Sequence, residues 1–120
     1  MRMSEKRRKL FREAIAAGRA ALRAGRLDEA FRCFERAHVI GQMWIAPHLL
    51  SHWEMLRVGW RRRDPREVAG QLLRLALTVP GTWLDRLPEG NTGGANVNPF
   101  RPMPVEPALR RLLEEADGAP

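Results

Sequence analysis

Over the first 24 positions the larger apolar residues and several alanines recur three and four apart, at Leu10, Phe11, Ala14, Ile15, Ala17, Ala21 and Leu22, with arginines between them. That spacing gathers one apolar stripe on a helix and puts the charge on the opposite side. Ser4 is a good N-cap and Gly25 a good terminator, so the pattern predicts a first helix from Ser4 to about Ala24. A second helix is expected from Leu27 to about Ile40, closed by Gly41. A third is expected from about Met43 to Trp60, with Pro47 tolerated in or near its first turn. In Asp64-Pro65-Arg66-Glu67 the aspartate can cap a helix, the proline suits its first position, and the glutamate can reach back to the cap. The fourth helix then runs through Gln71, Leu72, Leu73 and Leu75 to about Val79, where Pro80 is expected to stop it. A short last helix is expected from Glu106 to Ala116.

The segment from Gly25 to Ala30, followed by Phe34 and Ala37 and preceded by Gly18, resembles the tetratricopeptide repeat at its small and large packing positions. Gly18 and Ala30 would let two antiparallel helices approach, and Phe34 would fill the wedge between them. Gly59, Ala69, Leu73 and Ala76 echo that order in the next pair. Two pairs do not close a core by themselves, so the C-terminal part is expected to complete it. That part, 80–104, is rich in glycine, proline and asparagine, yet carries Trp83, Leu84, Leu87, Val97, Phe100 and Met103. A flexible linker would lack such anchors. An ordered strap across the helices is expected, with Asn91, Thr92, Asn96 and Asn98 closing turns. The expected fold is all-α in a single domain over 1–120: two antiparallel, tetratricopeptide-like helix pairs in 1–79, the strap in 80–104, and a short helix and tail in 105–120.

Composition narrows the function classes. Cys33 is the only cysteine, so no internal disulfide forms, and a reducing cytoplasm is the expected compartment. The cationic start, with Lys6, Arg7, Arg8, Lys9 and Arg12, has no apolar run behind it and does not read as a secretory signal. No apolar stretch approaches the roughly 20 residues that span a bilayer, so no membrane partner is expected. The net charge of +7 is almost all arginine. Its densest spot, Arg61-Arg62-Arg63, falls at a helix–helix turn, where contact with helix carbonyls accounts for it; nucleic-acid binding is the weakest partner reading. Gly90-Asn91-Thr92-Gly93-Gly94 is not a phosphate loop, since no strand precedes it and no Gly-Lys-Ser/Thr follows.

The chemistry-bearing residues are the three histidines. His48 and His52 lie four apart on the third helix and so share a face, and His38 lies on the second. His38 and His48 are each five residues from Met43, near the turn between the two helices. In an antiparallel pair they stand at similar height, with His52 one turn deeper. The three imidazoles are therefore expected to converge and to suit a divalent transition metal such as zinc, copper, nickel or iron, with water or Glu35 completing the shell. The competing reading makes them structural, each bonded to a carbonyl or carboxylate. Catalysis has little support: His48-Leu49-Leu50-Ser51-His52 lacks the glutamate a zinc protease places after its first histidine, and Cys33 reads as a small core residue. Trp44, Trp53 and Trp60 along the third helix point to core or to a groove for a protein or peptide partner. The function expected is that of a small binding or accessory protein with a metal or cofactor site, the alternative being a protein-interaction module.

Glu35 to Gln42, His48 to Met55, Gly59 to Asp64, Gly70-Gln71, Gly90 to Val97 and Pro102-Met103-Pro104 together resemble a family of small bacterial proteins defined as a domain of unknown function. The likeness covers nearly the whole chain. It implies that His38, His48, His52 and the glycine–asparagine strap belong to the motifs by which the family is recognised, and it carries no reaction with it.

Overall fold

The structure, a computed structural model, describes residues 2–83, 92–95 and 102–118, and of 78–83 the backbone alone. The described residues form five helices and no strand: α1 Glu5–Arg23, α2 Leu27–Gly41, α3 Ile45–Arg61, α4 Pro65–Trp83 and α5 Pro107–Ala116. Local chemistry sets the ends. Ser4 Oγ accepts the Arg7 amide at 3.1 Å, which caps α1. At its far end Gly25 takes φ +78°, and the Gly25 and Arg26 amides bond back to Leu22 and Ala21, a closure that needs a left-handed residue. The same closure ends α3, where the Arg63 and Asp64 amides bond to the Trp60 and Gly59 carbonyls. There the left-handed residue is Arg63, at φ +56°. Asp64 Oδ1 then accepts the Glu67 amide and starts α4 as its sequence signal requires.

Consecutive helices pack on one another, α1 on α2, α2 on α3 and α3 on α4. The core joins Phe11, Ala14, Ile15, Ala21 and Leu22 of α1 to Ala30, Phe34, Ala37 and Ile40 of α2 and to Met55 and Val58 of α3. Gly18 makes the first close approach: a Cβ there would stand 2.7 Å from Phe34 Cδ1. Gly41 makes another, against Pro47, and brings the end of α2 close to the start of α3. Leu109 and Leu113 of α5 close the core against α1. Arg7 ties this corner together: its Nε donates to the Ile40 carbonyl at 2.8 Å, its Nη1 pairs with Asp117 at 2.7 Å, and its guanidinium lies over Trp44.

Three expectations need correction. Leu10 is only half-buried and Ala17 is exposed, while Gly18 takes a place in the stripe. The helix α4 does not stop at Pro80 but continues to Trp83; proline keeps a helical φ and forfeits one backbone bond, and near a helix end that loss is tolerated. Most consequentially, Ala69, Leu73 and Ala76 do not form the inner face of α4: all three are exposed, and the buried side chains are Glu67, Gln71 and Arg74. Among the strap's expected anchors, Leu84, Leu87, Val97 and Phe100 and the side chain of Trp83 lie outside the described residues, as do Asn91, Asn96 and Asn98. Met103 is half-buried. No described helix is long and apolar enough to cross a membrane.

Candidate metal centre

The histidines come together as the helix arithmetic requires. The tight α2–α3 connection sets His38 beside His48, and the 3.6-residue turn puts His52 under the same groove. Their ring centroids are 4.6–4.8 Å apart, and one ring nitrogen from each lies within 4.8 Å of the other two. His52 Nε2 is 3.2 Å from His38 Nε2 and 3.0 Å from His48 Nε2. All three residues are buried, at 3%, 4% and 2% exposure for His38, His48 and His52. Glu35 is not part of this convergence. Its carboxyl accepts the Thr92 hydroxyl and faces a separate cavity of about 490 Å³ that it shares with Arg32, Arg62 and Glu67. Burial raises its pKa.

The polar face of α4 accounts for the orientation of His52. Glu67 and Gln71, one helical turn apart, point into the same space. Gln71 Nε2 lies 2.6 Å from Glu67 Oε2 and 2.9 Å from the Gly93 carbonyl, with Met55 Sδ at 3.5 Å. A carboxylate oxygen and a peptide carbonyl only accept, so this end of the amide must be the NH2 group. Gln71 Oε1 is then the atom 2.7 Å from His52 Nδ1, and His52 must donate an Nδ1–H to it. The lone pair of His52 consequently sits on Nε2 and points at the other two rings. Sequence reasoning missed Gln71 and Glu67. The signal available was a pair of long polar residues at i and i+4, on a helix whose inner face had to meet an imidazole.

The cluster favours neutral rings. Desolvation, with the neighbouring His52 adding to it, lowers the His48 pKa to about 3. Desolvation also lowers His52 to about 4; the Gln71 hydrogen bond opposes this and the Arg74 charge assists it. Hydrogen bonding alone does not satisfy the cluster. The one lone pair on His52 Nε2 faces two other Nε2 atoms, and His48 Nδ1 is buried without a hydrogen-bond partner. Buried polar atoms are ordinarily paired, so such a group calls for an explanation.

Arg61 Nη1 donates to the Leu22 carbonyl at 3.3 Å, and Arg62 pairs with Asp28 and lies over Phe31. Cys33, expected as a small core residue, is instead half-buried; burial raises its pKa, which disfavours a nucleophilic thiolate. A further feature of the core that the sequence reading did not name is Glu54, 1% exposed and paired with Arg19 and Arg57.

Residues 5–113 match a family described as "Protein of unknown function (DUF3703)". The chain belongs to that family. No curated protein and no solved structure matches it.

Proposed function

We propose that this protein binds one transition-metal ion through the Nε2 atoms of His38, His48 and His52. The observation that carries the reading is the approach of three buried ring nitrogens to separations of 3.0 and 3.2 Å. An ion with metal–nitrogen bonds of about 2.0 Å holds its donors about 3.3–3.5 Å apart, so a small relaxation seats it. The donors are of the right kind: His48 and His52 are neutral at ordinary pH, and His52 already presents its Nε2 lone pair because Gln71 takes the Nδ1 proton. Metal-bound histidines are commonly oriented by such an outer hydrogen bond. An ion at the centre would also relieve the competition of the His38 and His48 Nε2 atoms for the one lone pair on His52. An all-imidazole set suits zinc, copper, nickel or iron, with water as a further ligand.

Metal analysis of the tag-free protein, followed by calorimetric titration with zinc, copper(II) and nickel, tests the reading. One ion per chain, lost when all three histidines are replaced by alanine, supports it. No bound ion and no thermal shift with any of the three ends it.

A second reading rests on the outer face of α3 and α4. Trp53 and Trp60 are 51% and 71% exposed, Leu72 and Leu73 lie outward, and an apolar cavity of about 470 Å³ opens beside Trp60 and Val68. Exposed apolar patches of this kind mark contacts with partners. Stacked helix pairs of tetratricopeptide type would offer this face to a protein or peptide. Binding that survives loss of all three histidines and disappears with Trp60→Ala would favour it.

A further inference from the structure

Building on the metal reading, we infer that Gln71 couples the histidine site to the backbone segment 92–95, so that an ion on the three rings tightens the docking of that segment.

One amide serves both. Its oxygen accepts the His52 Nδ1–H at 2.7 Å, and its nitrogen donates to the Gly93 carbonyl at 2.9 Å and to Glu67 Oε2 at 2.6 Å. The same Glu67 oxygen accepts the Ala95 amide at 3.1 Å. His52, Gln71, Glu67 and Ala95 therefore form a continuous run of hydrogen bonds from ring to backbone. Gly93 touches the cluster directly as well. It stands at φ +83°, and a Cβ there would meet His38 Cδ2 at 2.7 Å and Nε2 at 2.9 Å. Only a glycine lets the backbone lie this close to a ring while adopting that conformation. The segment thus covers His38 and is fastened by the residue that orients His52.

The direction of coupling follows from the electronics of imidazole. A cation on Nε2 withdraws electron density from the ring and makes Nδ1–H a stronger donor. The Gln71 oxygen is then more polarised, and its N–H groups bond more strongly to Gly93 and Glu67, since chained hydrogen bonds reinforce one another. The outer partners of metal-bound histidines change affinity by about 10–100-fold when removed. Gln71 is therefore a positioning residue rather than a ligand.

Three measurements on the full chain test this. In metal-free protein labelled with 15N, long-range proton–nitrogen correlation is expected to find His52 as the Nδ1–H tautomer, and to find that preference lost in Gln71→Leu. Zinc is expected to bind Gln71→Leu about 10–100-fold more weakly than the parent. Zinc is also expected to slow hydrogen exchange at the Ala95 amide of the parent protein about tenfold, with no such slowing in Gln71→Leu. Gln71→Glu keeps an acceptor for His52 and, by sharing a proton with Glu67, keeps the link between the two side chains. It is expected to restore the tautomer and most of the zinc affinity, and if the leucine variant fails to fold, the His52 tautomer and the zinc response of Ala95 exchange in the parent carry the test. If the parent binds zinc through its histidines yet Ala95 exchange ignores the ion, or Gln71→Leu binds zinc as tightly as the parent, the coupling is wrong and the metal site stands. If the parent binds no metal, the site and the coupling fall together. An Nε2–H tautomer at His52 in the parent refutes the role given to Gln71 whatever the metal does.

Discussion

At His48 a ring nitrogen, Nδ1, is buried without a hydrogen-bond partner, and an orphan of that kind costs about 1–3 kcal/mol. Leucine fills a similar space without polar atoms. His48→Leu is therefore expected to leave the metal-free protein as stable as the parent or about 1 kcal/mol more so, while abolishing the zinc-induced rise in melting temperature. Chemical denaturation with and without zinc measures both. A purely structural histidine would show the opposite, a loss of stability and nothing for zinc to change. Two backbone positions give cleaner arguments. Arg63 occupies the left-handed conformation that closes α3, at φ +56°, where a side chain carries a steric cost that glycine lacks. Arg63→Gly is expected to stabilise the fold by roughly 0.5–1 kcal/mol, read as a shift in urea midpoint. At Gly18 the neighbour is the buried Phe34 ring, which cannot retreat, so Gly18→Ala is expected to cost about 1–3 kcal/mol through overpacking.

The helices differ in how far their own residues announced what they would do. In α1 and α2 the apolar period, the caps and the small–large contact of Gly18 with Phe34 all agree, and both helices lie within a residue of where they are expected. The histidine convergence was also legible, because a short connection between two antiparallel helices leaves little freedom in which rings stand level. The inner face of α4 was not. Two of its four leucines, the adjacent Leu72 and Leu73, point outward, while Glu67, Gln71 and Arg74 point in. Hydrophobic period assumes an apolar neighbour, and α3 presents α4 with an imidazole whose N–H needs an acceptor. Meeting that demand outweighs burying two leucines, since an unpaired polar group in the interior costs more than an exposed apolar side chain. Glu35 was not resolved by the sequence pattern for a related reason. It lies on α2 one turn before His38, but its carboxyl is taken by Thr92. The inverted face of α4 has a direct consequence: Leu72→Ser and Leu73→Ser are each expected to change stability by less than about 0.5 kcal/mol, whereas Met55, fully buried against Gln71, does not tolerate truncation so lightly. Met55→Ala is expected to cost about 2–5 kcal/mol in the same denaturation assay.

For the molecule as a whole the histidine cluster makes folding depend on protons, and the sign follows from which state refuses them. In the unfolded chain each imidazole titrates near about 6.5. In the folded, metal-free protein burial holds His48 neutral down to about 3 and His52 down to about 4. Above the unfolded value both rings are neutral in both states, and their contribution to stability is fully present. As the pH falls below it, the unfolded chain takes up protons that the folded one rejects, and stability is lost progressively until the folded pKa values are reached. Desolvation by the surrounding core, the repulsion of His48 by His52 and the Arg74 charge beside His52 all push toward this refusal, and the Gln71 acceptor opposes them at His52. Urea titrations of metal-free protein between pH 7.5 and 4.5 are expected to show a midpoint that is flat above neutrality and declines steadily below about pH 6.5. His48→Leu, with one fewer ring to protonate on unfolding, is expected to decline less steeply. A midpoint indifferent to pH over that range would mean that the rings exchange protons with solvent as freely in the folded chain as in the unfolded one, which is incompatible with a buried cluster of neutral donors.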